Sequence, residues 1–348
     1  MIWVRSAGGK RYEYVESISA SPAGDVFVTG TFDSTMVCGT FTVTPQASGL
    51  FNSDIFLIKY DSSGTVQWIE TATGAAAPQH SVNDVCATPE GDAYIIGSFG
   101  TALYLSTGSV TSAGLDDMYI AKYTSSGTPA WIKRLGGSGY ENAWSMALND
   151  SGDIFIAGTF GNTVIIGSNT FTAINPGVDI FVAKFDSTFT TNKWALKCGG
   201  NDTDVPNSIA LGADQKDVYV FGSYYGNASY GAFSVTPNGG TYPDIFLTKI
   251  NNQAPNGINE KTIDSGTLQL FPNPVSEKFY VNMSGVNNED VSVKLVSLTG
   301  QILFEENVNS LQLNGQYSIS TKNLADGIYF VMIQEASGKT ICGKVCKQ

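Results

Sequence analysis

One histidine in 348 residues, His80, leaves little room for the common zinc sites, which need histidine clusters or paired cysteines. The five cysteines (Cys38, Cys86, Cys198, Cys342 and Cys346) form no CxxC pair. Their odd number and irregular spacing favour buried free thiols over a disulfide framework. Charged residues reach only 14%, and 19 Lys plus Arg face 31 Asp plus Glu, a net charge of −12. With no basic patch to gain from counterion release, nucleic acid is excluded as a partner and an anionic membrane surface is disfavoured. No apolar run approaches the ~20 residues of a membrane span, so no transmembrane segment is expected. The opening MIWVRSAGGK lacks the charged and apolar regions of a signal peptide. P-loop, dinucleotide-fingerprint, EF-hand and GxSxG patterns are also missing, and no cofactor or metal is expected.

What is present is repetition. The stretch DVFVTGTF at 25–32 returns as DAYIIGSF at 92–99, DIFIAGTF at 153–160 and DVYVFGSY at 217–224. β-Branched and aromatic residues behind a turn aspartate make a strand, and both of its faces are apolar, so it needs similar sheets on either side. Trp3, Trp68, Trp131 and Trp194 keep step at intervals of 65, 63 and 63 residues, each followed by one or two glycines. DIFLIKYD at 54–61 recurs at 117–124, 179–186 and 244–251. Tight turns such as SPAGD, TPEGD and DSSG are hairpin chemistry. Each period therefore predicts four strands, at 15–20, 25–32, 54–60 and 66–71 in the first copy, with a further short hairpin near 37–43. A four-stranded meander repeated in the tens of residues is a propeller blade.

The fold expected is all-β: a β-propeller of four ~63-residue blades over residues 1–251, then a linker at 252–267 and an immunoglobulin-like β-sandwich at 268–348. The fourth repeat has no tryptophan-bearing last strand. Residues 2–4 would supply it in a closed four-bladed ring; in the other reading the blades are part of a larger ring. The glycines at 30, 97, 158 and 222 are expected where adjacent sheets approach closely.

The order W…GG…IA…GDVYVTGTF…DIFLAKYD resembles the bacterial β-propeller repeat (SBBP-like) family, over residues 3–251 in four copies. The C-terminal segment resembles the type A sorting domain of the type IX secretion system of Bacteroidetes. That resemblance rests on Pro272, Asn273 and Pro274, on Leu298, Thr299, Gly300 and Gln301, on Gly327, Ile328 and Tyr329, and on the basic last strand with Lys344. One departure is Ser297 or Leu298, where the family usually has aspartate. The resemblance implies contact with the type IX machinery and export to the medium or the outer-membrane surface, the domain being removed or replaced by a lipopolysaccharide anchor. Such cargo first crosses the inner membrane, so a signal peptide on a longer precursor is expected upstream of Met1.

Candidate chemistry is sparse. Features repeated four times belong to the scaffold, which includes Lys59, Lys122, Lys184 and Lys249. The single His80 lacks the partners of a catalytic base. Asp116, Asp117, Asp202, Asp204, Glu289 and Asp290 are expected in solvated turns, and 201–204 (NDTD) could hold calcium only with ligands from elsewhere. Loops that follow the second and fourth strands share one face, where rigid scaffolds present function. Tyr12, Tyr14, His80, Tyr140, Asn142, Tyr225, Tyr230 and Tyr242 come from those loops and suit contact with a glycan or a peptide. The expected role is therefore a non-enzymatic secreted or surface protein that binds or adheres to a polysaccharide or surface protein. The alternatives are an extracellular polysaccharide lyase or hydrolase with acidic residues on the loop face, and a purely structural surface spacer.

Overall fold

The computed structural model describes residues 2–46, 53–74, 80–174, 177–231, 233–239, 242–252, 268–283, 290–297, 301–309, 312–335 and 340–348. The chain divides into two units, Met1–Pro255 and Asn256–Gln348. The expected linker at 252–267 lies, except for Asn252, outside the described residues.

Within Met1–Pro255 each repeat folds into an antiparallel meander in chain order. The first comprises Glu13–Ala20, Val26–Phe32, Asp54–Tyr60 and Val66–Gly74. The second comprises His80–Ala87, Ala93–Phe99, Asp117–Tyr123 and Pro129–Leu135, and the third Glu141–Leu148, Ile154–Phe160, Asp179–Phe185 and Asn192–Gly200. Among the described residues the fourth has three strands, Asp204–Leu211, Asp217–Tyr224 and Asp244–Asn251. Short hairpins follow every second strand, at Met36–Cys38 and Phe41–Val43 in the first repeat.

Successive sheets pack face to face, which is why the strands have no polar side. Phe27, Ile55 and Leu57 of the first sheet bury against Val82, Val85 and Ile95 of the second. Ile96, Met118 and Ile120 then meet Ala143, Met146 and Ile156, and Phe155, Ile180 and Val182 meet Ile209, Val218 and Val220. Each of the larger side chains contributes roughly 1.5–3 kcal/mol by leaving water. This is the packing of propeller blades, and the architecture is all-β and propeller-like.

Tryptophans fasten one blade to the next. Trp68 Nε1 donates to Ser125 O at 3.0 Å, and a Cβ on Gly127 (φ +93°) would lie 2.9 Å from that indole. Glycine therefore provides both the turn conformation and the seat.

Two expectations change. The four-bladed closure through residues 2–4 is not the arrangement found. Asp244–Asn251 ends a three-stranded sheet, while Trp3 lies against the first blade, its Nε1 donating to Ser62 O at 3.2 Å. The glycines at 30, 97, 158 and 222 do not lie between sheets. A Cβ on Gly97 would sit 2.0 Å from Ser81 O and 3.0 Å from the Tyr119 ring, both in its own sheet. The cause is a bulge in the first strand of each of the four blade sheets, at Val82/Asp84 in the second, which pushes a carbonyl toward the glycine.

Asn256–Gln348 is a sandwich of two sheets. One holds Leu268–Phe271, Lys278–Met283 and Asn314–Ser320; the other holds Ile302–Asn309, Asp290–Ser297, Gly327–Glu335 and Thr340–Lys347. Phe279, Val281 and Ile319 meet Val293, Val331 and Val345 in its core. Tyr329 is buried and its hydroxyl donates to Ala325 O at 2.7 Å. Tyr329→Phe removes that bond and lowers the unit's stability by about 1 kcal/mol, measurable as an earlier urea transition for the sandwich.

Candidate functional site

Each blade junction carries the same polar device. The third strand of a sheet opens with an aspartate (Asp54, Asp117 or Asp179), and the first strand of the next sheet opens with His80, Glu141 or Asp204. All six side chains are buried. One oxygen of each aspartate accepts a backbone N–H from the preceding connection: Gln46 at 2.7 Å, Ala113 at 2.7 Å and Ile174 at 3.0 Å. Across the junction, Gly137 N donates to Glu141 Oε2 and Gly200 N to Asp204 Oδ2, both at 2.7 Å. Arg134 pairs with Asp117 Oδ2 at 2.5 Å and Lys197 with Asp179 Oδ2 at 2.8 Å, while Thr73 Oγ1 donates to Asp54 at 3.0 Å.

The second oxygens tell more. Asp117 Oδ1, Glu141 Oε1, Asp179 Oδ1 and Asp204 Oδ1 are all buried and find no donor among the described residues. Two carboxyl groups brought together out of water are stable with one proton between them. Burial, backed by the Asp117 charge and opposed by the Gly137 N–H, pushes Glu141 up to about 7. Burial and the Asp179 charge push Asp204 up to about 6. At the first junction burial pulls the His80 imidazole down from its ordinary value, against the attraction of Asp54.

These pairs correct the expectation of solvated turns, because Asp117 and Asp204 are fully buried. Within the run 201–204, Asp204 is held by the Gly200 N–H and buried beside Asp179. The signal was a spacing: Glu13, Glu141 and Asp204 each stand four residues after the second glycine of a Gly-Gly pair. In the second repeat the connection differs in length and composition, which hid His80 as the same position.

The candidate ligand residues separate into two groups. Tyr12, Tyr140 and Tyr225 are exposed, on three different blades, with Tyr12 stacked on Tyr14 at 6.2 Å. His80 and Tyr230 are buried, which removes them from any open loop surface. The His80 Nε2 has no hydrogen-bond partner among the described residues, and Tyr230 packs on Phe246 at 4.5 Å. Asn142 is half-buried and occupied, accepting from Asn83 Nδ2 at 2.7 Å. Asp84 is a further link: it accepts from Ser17 Oγ at 2.7 Å, Ser145 Oγ at 3.0 Å and Met146 N at 2.8 Å, joining three blades.

The repeated lysines pair with the aspartates that precede or open the second strands: Lys59 with Asp25 at 2.9 Å, Lys122 with Asp92 at 2.9 Å, Lys184 with Asp153 at 3.0 Å and Lys249 with Asp217 at 2.7 Å. Their ammonium groups lie over the rings of Phe27, Tyr94, Phe155 and Tyr219. Cys38 and Cys198 are buried free thiols, Cys86 and Cys346 are half-buried free thiols, and the Cys342 side chain lies outside what is described.

In the sandwich the sorting motif is structural glue. Asn273 Nδ2 donates to Lys344 O at 2.8 Å and its Oδ1 accepts from Cys346 N at 2.9 Å. Pro272 and Pro274 flank it in cis peptides, Gly327 pairs with Lys347, and Gly300 lies outside the described residues.

Residues 269–348 match the family of the secretion system C-terminal sorting domain. The chain thus carries a type IX sorting domain, which implies a secreted or cell-surface protein. No curated protein matches the chain. Similar solved structures include the periplasmic gluconolactonase PpgL of Pseudomonas aeruginosa, at 12% identity and TM-score 0.35, covering 95% of this chain and 85% of that one. A cobalt-substituted apocarotenoid oxygenase of Synechocystis is similar at 13% identity and TM-score 0.34, covering 96% of this chain and 62% of that one. Dimeric latent PorU of Porphyromonas gingivalis is similar at 13% identity and TM-score 0.19, covering 96% of this chain and 32% of that one.

Proposed function

We propose that the chain is a non-enzymatic binding or adhesion protein, placed outside a Bacteroidetes cell by the type IX machinery and built on SBBP-like repeats. One observation carries this reading. The buried carboxyl groups recur from junction to junction and are consumed by architecture, while the side chains offered to solvent along the same face include several tyrosines. Tyr12, Tyr14, Tyr140, Tyr225 and Tyr242 are all exposed. Tyrosine presents a rigid apolar face with a polar tip, which suits sugar rings and extended peptides at low entropic cost. Polysaccharide is the first ligand class to test.

In a glycan-array measurement on the full chain, Tyr140→Ala weakens binding about tenfold or more, since such a contact carries ~1.4 kcal/mol or more. The melting temperature stays put, because the ring makes no core contact. Depolymerisation of any bound polysaccharide, lost on changing loop carboxylates to amides, would replace this reading with the lyase or hydrolase one.

A further inference from the structure

Lys184 meets a side chain where its counterpart in the first repeat meets only backbone. In the turn after the third strand the first three repeats carry Ser62, Ser125 and Ser187, and the fourth carries Asn252. The backbone role of that position is kept. Trp194 Nε1 donates to Asn252 O at 3.3 Å, as Trp68 Nε1 donates to Ser125 O at 3.0 Å. The side chain is what differs. Lys59 Nζ reaches the Ser125 carbonyl at 3.3 Å, whereas Lys184 Nζ donates to Asn252 Oδ1 at 3.0 Å.

That amide is held from every side. Asn252 Nδ2 donates to Gln215 O at 2.5 Å, and Asn252 N donates to Lys216 O at 2.8 Å. With an ammonium at one end and a carbonyl at the other, the oxygen must face Lys184. Lys184 is fixed as firmly: its Nζ pairs with Asp153 Oδ2 at 3.0 Å and lies 5.0 Å from the Phe155 ring centre. Its side chain is only 12% exposed. Asp153 is buried, and Lys193 pairs with its other oxygen. Burial raises the Asp153 carboxyl, but the Lys193 and Lys184 ammonium groups outweigh it and hold it below the usual carboxylate range.

An amine, an amide and a carboxylate thus stand in contact, largely out of water. Aminolysis of an amide is slow between free molecules, and contact of this kind is what accelerates such a step. We infer that Lys184 and Asn252 join in a spontaneous isopeptide bond, with Asp153 as the general base.

The step balances without an oxidant or a co-reactant. Asp153 takes one proton from the Lys184 ammonium, and the freed amine adds to Asn252 Cγ, sending an electron pair onto Oδ1. The attacking nitrogen passes its second proton to Nδ2. The Oδ1 pair then re-forms the carbonyl as the Cγ–Nδ2 bond breaks, and ammonia leaves, collecting the Asp153 proton as ammonium. The product ties the third sheet, at Asp179–Phe185, to the end of the fourth sheet's strand Asp244–Asn251. Force or proteolysis acting between them then cannot part the two blades, which goes beyond any role in ligand binding.

Intact-mass spectrometry of the full chain, after a day at neutral pH, reads a mass below that of the sequence by one ammonia. Tryptic digestion gives a branched peptide in which cleavage after Lys184 is blocked and Asn252 is attached. Lys184→Arg, which keeps the charge beside Asp153, and Asn252→Ser, which restores the residue of the other repeats, each have the full sequence mass and no branched peptide. Asp153→Asn also retains the ammonia, with its β-sheet circular dichroism confirming that it has folded. A succinimide at Asn238-Gly239 would lose ammonia as well, but it would survive in Lys184→Arg and leave no branch. Wild type at its full sequence mass, a loss that persists in Lys184→Arg, or the absence of the branched peptide each overturns the inference. A branched peptide still formed in folded Asp153→Asn overturns the role given to Asp153.

Discussion

Raising the pH from about 5 to about 8 lowers the melting temperature of the blade unit, and Glu141→Gln removes much of that fall. Unfolded, a glutamate releases its proton at 4.5; folded, Glu141 keeps it to about 7. Asp204 likewise keeps its proton to about 6 instead of 3.8. Within those windows the folded chain binds more protons than the unfolded one, so stability falls with rising pH. The contribution is complete below the unfolded value and lost on passing through the folded one. Each pair is worth at most about 3 kcal/mol over the whole window, and relaxation with water entry cuts this to about 1–2. His80 acts in the opposite sense, since its lowered value favours the folded state as pH rises toward 6.5. Its single term reduces the slope below that value and leaves the loss above it. A glutamine at 141 donates to Asp117 Oδ1 at every pH, so the variant melts about 2–4 °C above wild type near pH 8. Equal melting temperatures for wild type across that range would show that the pairs do not hold the proton.

Gly97→Ala is expected to be among the most damaging single-methyl changes in the blades. The added carbon would lie 2.0 Å from Ser81 O, a backbone atom fixed by the bulge beside it, and 3.0 Å from Tyr119, which is fully buried. Neither neighbour is the free end of a flexible side chain, so two strands must part. The cost is about 3 kcal/mol or more, at the upper end of overpacking effects. Gly108→Ala is the control: its new carbon meets only Ile132 Cγ2, at 3.9 Å, and stability changes by less than about 0.5 kcal/mol. Chemical denaturation of the two variants side by side separates this steric account from a general preference for glycine in strands.

Strand positions, inserted hairpins and the sheet-on-sheet packing were legible because the repeat is written in residues that local physics reads directly: turn glycines, β-branched runs and doubly apolar strands. What stayed hidden depends on partners far away in the chain. Whether Asp117 is solvated is decided by Glu141 on the next sheet, and no local pattern around Asp117 reveals it. Tyr230 was expected to reach a ligand from the last inserted connection, yet it lies on the short strand Ala228–Tyr230, whose alternate residues turn inward. Gly97 was rightly marked as crowded and wrongly assigned a neighbour, because the bulge that crowds it is a backbone irregularity with no composition of its own.

The seam between Asn273 and the strand Thr340–Lys347 has a temporal side. Val345 sits in the centre of the sandwich core, and the backbone around Val275 is tied to Cys346 and Gln348. The strand Thr340–Lys347 must therefore be synthesised before the sandwich can close, after every blade has been made, and a chain broken off before Val345 lacks this folded unit.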